Sequence, residues 1–211
     1  MINVTKYCLV LTVLTIFANT AMAADEKLSA GSSPEIGEQD KYASIRETLQ
    51  TCFSCHGDNG ASTIGTFPIL AGQEFYYMYV QLKDMKKGLR ASPVMSPIVA
   101  SIERADLKLL AMYFSEQSWP KTAYTIDSKR ALMAQRVIDE GGCTACHLST
   151  LKGNSRVPRL ANQHPEYLKN TMHDFKNDIR KNAPAMGTLL KSFNEQEIQD
   201  IADFLASFKA E

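Results

Sequence analysis

This chain has no surplus of charge, few cysteines, no long apolar run and no alternating stretch. Twenty-three Lys and Arg balance 23 Asp and Glu, so the composition gives no sign of nucleic acid binding, which needs a basic patch. Sustained period-two alternation is missing as well, so strands should be few and the fold all-α. Beyond the N-terminus nothing is apolar enough to span a membrane. The chain has only five cysteines. Cys8 sits in an N-terminal apolar run, and the other four all fall in two short motifs.

The N-terminus accounts for Cys8. Lys6, the run from Tyr7 to Ala18 and the small-residue pattern Ala21-Met22-Ala23 together read as a cleavable secretory signal over residues 1–23. Residues 24–40, polar and charged, are expected to form a flexible leader. The exported product is expected to be soluble, with four cysteines in an oxidising compartment, where two disulfides are one option.

What is present is present twice. "TCFSCHGDNG" (51–60) contains Cys52, Cys55 and His56, and "GGCTACHLST" (141–150) repeats them as Cys143, Cys146 and His147. "FPILAGQ" (67–73) returns as "VPRLANQ" (157–163). Tyr77, Leu82, Asp84 and Arg90 return as Tyr167, Met172, Asp174 and Arg180, and "SPVM" (92–95) lines up with "APAM" (183–186). A register kept this long marks a duplicated unit. The expected units are 41–117 and 129–211, joined by a linker over 118–128 that contains a proline.

Each unit reads as helical. Phe75, Met78, Leu82 and Met85 form an apolar stripe at helical spacing, as do Leu168, Met172, Phe175 and Ile179. A last helix buries Leu107, Leu110, Ala111 and Phe114 in one unit, and Ile198, Ile201, Ala202, Leu205 and Phe208 in the other. Asn194 and Glu197 have the spacing of a capping box. Further helices over about 40–52 and 128–140 lead into the motifs.

Three chemistries use C-x-x-C. Structural zinc sites often pair two such motifs about 15–20 residues apart, whereas these lie in separate repeats with no further cysteine to complete either site. A thioredoxin-like dithiol needs a strand–helix setting that helical repeats do not provide. In C-x-x-C-H the two thiols lie one helical turn apart and can add to the vinyl groups of a haem, and the histidine then becomes its proximal ligand. Two such motifs imply two covalently bound haems c. A unit this small also has little apolar material for a core, and a haem supplies an apolar plate against which the stripes can pack.

A sixth ligand is expected at Met95 and Met186. They are the methionines that match across the copies, each at the same distance from its motif and each following a proline. Pro93 and Pro97 flank Met95, which predicts a non-helical loop. Thioether sulfur suits haem iron. His164 and His173 have no histidine partner in the first copy and are expected at the surface. Pro68 and Pro158 fit two roles equally from the residues alone: a carbonyl that accepts the ligand histidine's free N–H, or simply the start of a loop.

With C-x-x-C-H, P-x-L-A-[G/N]-Q, a Tyr-bearing helix, an arginine and a distal methionine in each copy, residues 42–209 resemble the dihaem cytochrome c4 family. "PILAGQ" is the most specific element. The resemblance implies two tandem cytochrome c-like domains with their haems facing one another in a periplasmic electron carrier. It further implies that Pro68 and Pro158 accept from the ligand histidines, and that Arg90 and Arg180 lie near haem propionates. Two features depart from the family. Leu148 follows the second motif where the first has Gly57, and the leader is longer than the family needs.

Iron closed by histidine and methionine has no open position, which leaves one-electron transfer and no enzyme turnover. The expected partners are redox proteins, a quinol-oxidising complex and a terminal oxidase, met in solution or at the membrane surface. The alternative is an electron-accepting subunit of a periplasmic dehydrogenase, such as the flavin-dependent sulfide dehydrogenases.

Overall fold

The computed structural model describes residues 40–210. The expected signal and nearly all of the leader lie outside the described residues. In the first half, a 3₁₀ turn at Ala43–Ile45 leads into α1 (Arg46–His56), followed by α2 (Phe75–Lys86), α3 (Met95–Ala100) and α4 (Arg104–Ser115). In the second half, α5 (Ser128–Glu140), α6 (Cys143–His147), α7 (Pro165–Lys176), α8 (Pro184–Leu190) and α9 (Glu195–Ser207) repeat the order. No β-strand forms among the described residues. Two isolated bridges occur, Arg90 with Arg180 and Asn154 with Val157.

Apolar stripes at helical spacing become two cores. Ile45, Leu49, Met78, Met85, Val99, Leu107, Leu110, Ala111 and Phe114 form the first. Ile138, Leu151, Leu168, Met172, Phe175, Leu190, Ile198, Ile201, Ala202 and Leu205 are central to the second. In both, the last helix carries the centre, with Leu107 and Ile198 fully buried. Asn194 Oδ1 accepts from Glu197 N at 3.0 Å, and Glu197 Oε2 accepts from Asn194 N at 2.7 Å. That is a complete capping box, typically stabilising by about 1 kcal/mol.

Several expectations need correction. The first motif is not past the end of its helix: α1 runs unbroken through Cys52 and Cys55 to His56. In the second half, Gly142, in the left-handed region at φ 64, separates α5 from α6. Met95 and Met186 lie in short helices, not in loops. Pro97 is the third residue of α3 and Pro184 the first of α8, positions whose N–H groups have no helical acceptor in any case. Ile179, expected inward, is 57% exposed, because α7 ends at Lys176 and the chain has left the helical phase.

The two halves meet through crossed, near-symmetric contacts. Tyr77 N donates to Ser155 O at 2.9 Å, and Tyr167 N to Gly65 O at 3.1 Å. Glu74 Oε2 accepts from Ser155 N at 2.8 Å. Its sequence counterpart, His164, has Nε2 2.9 Å from Ser62 O. His164 is therefore half-buried between the halves and not a surface residue. His173 is half-buried too, with Nε2 3.2 Å from Glu195 Oε2.

Candidate functional site

A cavity of about 1010 Å³ extends across both halves. All twelve residues expected at a cofactor line it: Cys52, Cys55, His56, Pro68, Arg90 and Met95 from the first half, and Cys143, Cys146, His147, Pro158, Arg180 and Met186 from the second. Between them its wall is apolar, with Met78, Leu82, Leu110 and Phe114 on one side and Leu168, Met172, Ile201 and Leu205 on the other. The stripes that build the cores thus also line the cavity, which suits a flat apolar ligand.

Helical phase places the motif side chains. In α1 and in α6 the two cysteines are one turn apart, and the histidine that ends the helix is buried at 5% and 6% exposure. His56 Nδ1 is 2.9 Å from Pro68 O and His147 Nδ1 is 3.0 Å from Pro158 O. A carbonyl only accepts, so each Nδ1 carries the proton and each Nε2 keeps its lone pair. That is the tautomer a metal ligand needs. Burial holds both imidazoles below the ordinary histidine range, with the bond to the proline carbonyl pulling the other way.

The burial of the first thiol in each motif does not favour a redox dithiol. All four are free, and burial pushes Cys52 up to about 11 and raises Cys143. A redox-active thiol has its pKa lowered, not raised. Zinc is disfavoured on geometry, since among the described residues no three His, Cys, Asp or Glu side chains converge on a possible ion.

Arg90 and Arg180 face each other where the halves join. Arg90 Nη2 donates to Tyr167 Oη at 3.4 Å and Arg180 Nη2 to Tyr77 Oη at 3.2 Å, each arginine reaching the other half's tyrosine. Gln81 Oε1 accepts from Arg90 Nη1, Arg180 Nη2 and Asn182 Nδ2 at 3.1, 2.8 and 2.9 Å. Burial raises the Tyr167 phenol, but the two guanidiniums outweigh it and bring it down to about 7. Arg180 is 5% exposed, and its Nη1 is buried without a hydrogen-bond partner. A buried cation beside a half-buried one, with an orphaned donor, is costly unless an anion joins them. A haem fits this site: its plate matches the apolar walls, its iron the Nε2 lone pairs and its propionates the arginine pair.

Sequence reasoning gave no role to Gln73, Gln163, Gln81 or Asn182. The first two were visible as a repeated glutamine. Gln81 aligns with Thr171, so repetition carried no signal for it.

Helical modules that bring C-x-x-C-H histidines, their carbonyl acceptors and methionines to one apolar cavity define a c-type cytochrome. A cytochrome c family model matches residues 131–209. A cytochrome c4 from Thiocapsa roseopersicina is 29% identical over 82% of this chain and 94% of its own length. A thiosulfate dehydrogenase electron acceptor from Stutzerimonas stutzeri is 30% identical over 74% of this chain and 78% of its own. The solved cytochrome c4 of Acidithiobacillus ferrooxidans superimposes with a TM-score of 0.68 at 30% identity, covering 75% of this chain and 99% of that one. This chain belongs to the dihaem cytochrome c4 family, whose members carry covalently bound haem c and transfer electrons without being enzymes in themselves. No helix among the described residues is long and apolar enough to cross a membrane.

Proposed function

We propose that the chain carries two haems c, one per half, and shuttles single electrons between periplasmic redox proteins. Cys52 and Cys55 would attach one haem, with His56 and Met95 holding its iron. Cys143 and Cys146 would attach the other, with His147 and Met186. The observation that supports this most is that one cavity is lined by both motifs and both methionines.

Each haem supplies an iron that changes by one electron. The rest is done by the chain. Pro68 and Pro158 fix the imidazole tautomer, which also makes the ligand nitrogen more basic. Arg90 and Arg180, at the junction of the halves, would neutralise the propionates. With His56 and Met95, and His147 and Met186, holding the irons, substrates and oxygen would be kept off the metal, leaving one-electron exchange as the chemistry. The donors and acceptors that suit such a carrier are a quinol-oxidising complex and a terminal oxidase. The signal-like N-terminus fits export to the periplasm.

A second reading has its own support. The Stutzerimonas relative is named as an electron acceptor for thiosulfate dehydrogenase, so a dehydrogenase could be this chain's donor or permanent partner. A pull-down from periplasm at low salt separates the two readings, because only a permanent subunit would bring a stoichiometric enzyme with it.

Ligation is tested by substitution. Met95→Ala should remove the weak methionine-to-ferric-iron band from one haem and leave the other's in place, and Met186→Ala should do the converse. Met78→Ala should keep both bands and lower stability by about 2–5 kcal/mol, as core truncations do. Loss of a band in Met78→Ala with none lost in Met95→Ala would overturn the ligand assignment.

A further inference from the structure

The glutamine that closes each P-x-L-A-[G/N]-Q stretch reaches across the molecule. Gln73 and Gln163 are 5% and 3% exposed, among the most buried polar side chains of the protein. Gln163 Oε1 accepts from Ile69 N at 2.9 Å and its Nε2 donates to Ile69 O at 2.9 Å. Gln73 Oε1 accepts from Arg159 N at 2.8 Å and its Nε2 donates to Arg159 O at 3.0 Å. Each Oε1 also accepts from the next residue of its own half, Glu74 N at 2.9 Å and His164 N at 3.0 Å.

The residues gripped are the ones that follow Pro68 and Pro158. The N–H of Ile69 and the C=O of Pro68 belong to a single planar peptide unit. A continuous hydrogen-bonded chain therefore runs from Gln163 Oε1 through the Ile69 N–H and the Pro68 carbonyl to His56 Nδ1. Its mirror runs from Gln73 Oε1 through the Arg159 N–H and the Pro158 carbonyl to His147 Nδ1. Successive hydrogen bonds polarise one another. An acceptor on the N–H end of a peptide makes its carbonyl a stronger acceptor, and a stronger acceptor on Nδ1–H makes the imidazole a more basic ligand.

We propose that Gln73 and Gln163 are crossed positioning residues, each setting the hydrogen bond of the ligand histidine in the opposite half. The inference rests on the assignment of His56 and His147 as iron ligands. It makes the redox equilibrium of each haem depend on a side chain that does not belong to that haem's own half. A more basic ligand favours ferric iron, so removing the amide shifts the affected haem towards its reduced form.

The test uses the full holoprotein and the isosteric apolar variants Gln73→Met and Gln163→Met. The two haems are followed separately through the hyperfine-shifted resonances of their axial ligands during a redox titration. Gln73→Met should shift the reduction equilibrium of the haem held by His147 about two- to tenfold towards the reduced form, the range of one net hydrogen bond. It should leave the haem held by His56 in place, and Gln163→Met should do the reverse. The ring N–H proton of His147 should also exchange faster in Gln73→Met, with that of His56 unchanged. A purely packing role would move both haems or neither. A shift in the variant's own half, an equal shift in both, or none, with two haems still bound, would overturn the proposal. If Gln73→Met does not fold, Gln73→Asn, whose amide is too short to span the gap, gives the same readouts. Absence of the histidine ring signals in the unaltered protein would instead remove the ligand assignment on which the proposal stands.

Discussion

The two halves hold one backbone with different residues. In the first, Gly57, Gly60, Gly72 and Gly88 sit at φ 74, 82, 69 and 73. In the second, the corresponding places are taken by Leu148, Leu151, Asn162 and Asp178, and the left-handed φ persists at 66, 53, 61 and 56. Asparagine and aspartate adopt that region readily and leucine does not. The hydrogen bonds explain why the conformation survives. Gly72 N and Asn162 N both donate at 2.8 Å to the last core residue of their half, Phe114 O and Leu205 O. Leu70 N and Leu160 N donate at 2.9 Å to Gly60 O and Leu151 O. The surrounding contacts fix the path, and local preference yields to them.

Side-chain volume is exchanged to allow this. A Cβ on Gly60 would lie 2.7 Å from Phe114 Cδ1. In the second half Leu151 fills that position at 1% exposure, and Leu205 stands where the first half has Phe114. Glycine with phenylalanine on one side matches leucine with leucine on the other. Gly60→Leu should therefore overpack the first half and destabilise it by about 3 kcal/mol. Adding Phe114→Leu should recover the part of that loss that Phe114 causes, while the approach to Ala71 N at 2.9 Å remains. Chemical denaturation of the single and double variants checks it, and a double variant no better than the single would break the comparison.

A smaller effect of opposite sign is expected at Leu148. At φ 66, ψ 162 it occupies backbone space that is nearly restricted to glycine, and its side chain is 41% exposed, so little packing offsets the strain. Leu148→Gly should raise stability by about 1–2 kcal/mol, seen as a higher denaturation midpoint with an unchanged slope. At Asn162 the change should be smaller still. Asn162→Gly removes a side-chain bond to Ala206 O at 3.3 Å but relaxes the same φ, and the net effect should be under about 1 kcal/mol.

Much of the molecule was legible because it is written twice. Repetition singled out the cysteines, histidines and methionines, and helical periodicity found the residues that wall the cavity, from Met78 to Leu205. The differences have separate causes. Flanking prolines predict loops at Met95 and Met186, yet a proline in the first turn of a helix breaks no hydrogen bond. Ile179 continued a stripe on paper after its helix had ended. A glutamate counterpart, Glu74, predicts a surface place for His164. Both residues do the same work across the junction with different chemistry, and a match of residue types does not register that. The crossed glutamines were in view, but a partner so distant in sequence has no local signature.

The central claim, that each half carries its own covalent cofactor, is tested most directly by the mass of the protein after acid–acetone treatment, followed by its peptides. Two haem adducts should remain, one on the peptide containing Cys52 and Cys55 and one on the peptide containing Cys143 and Cys146. A single adduct, or haem that extracts into the acetone, would contradict the account.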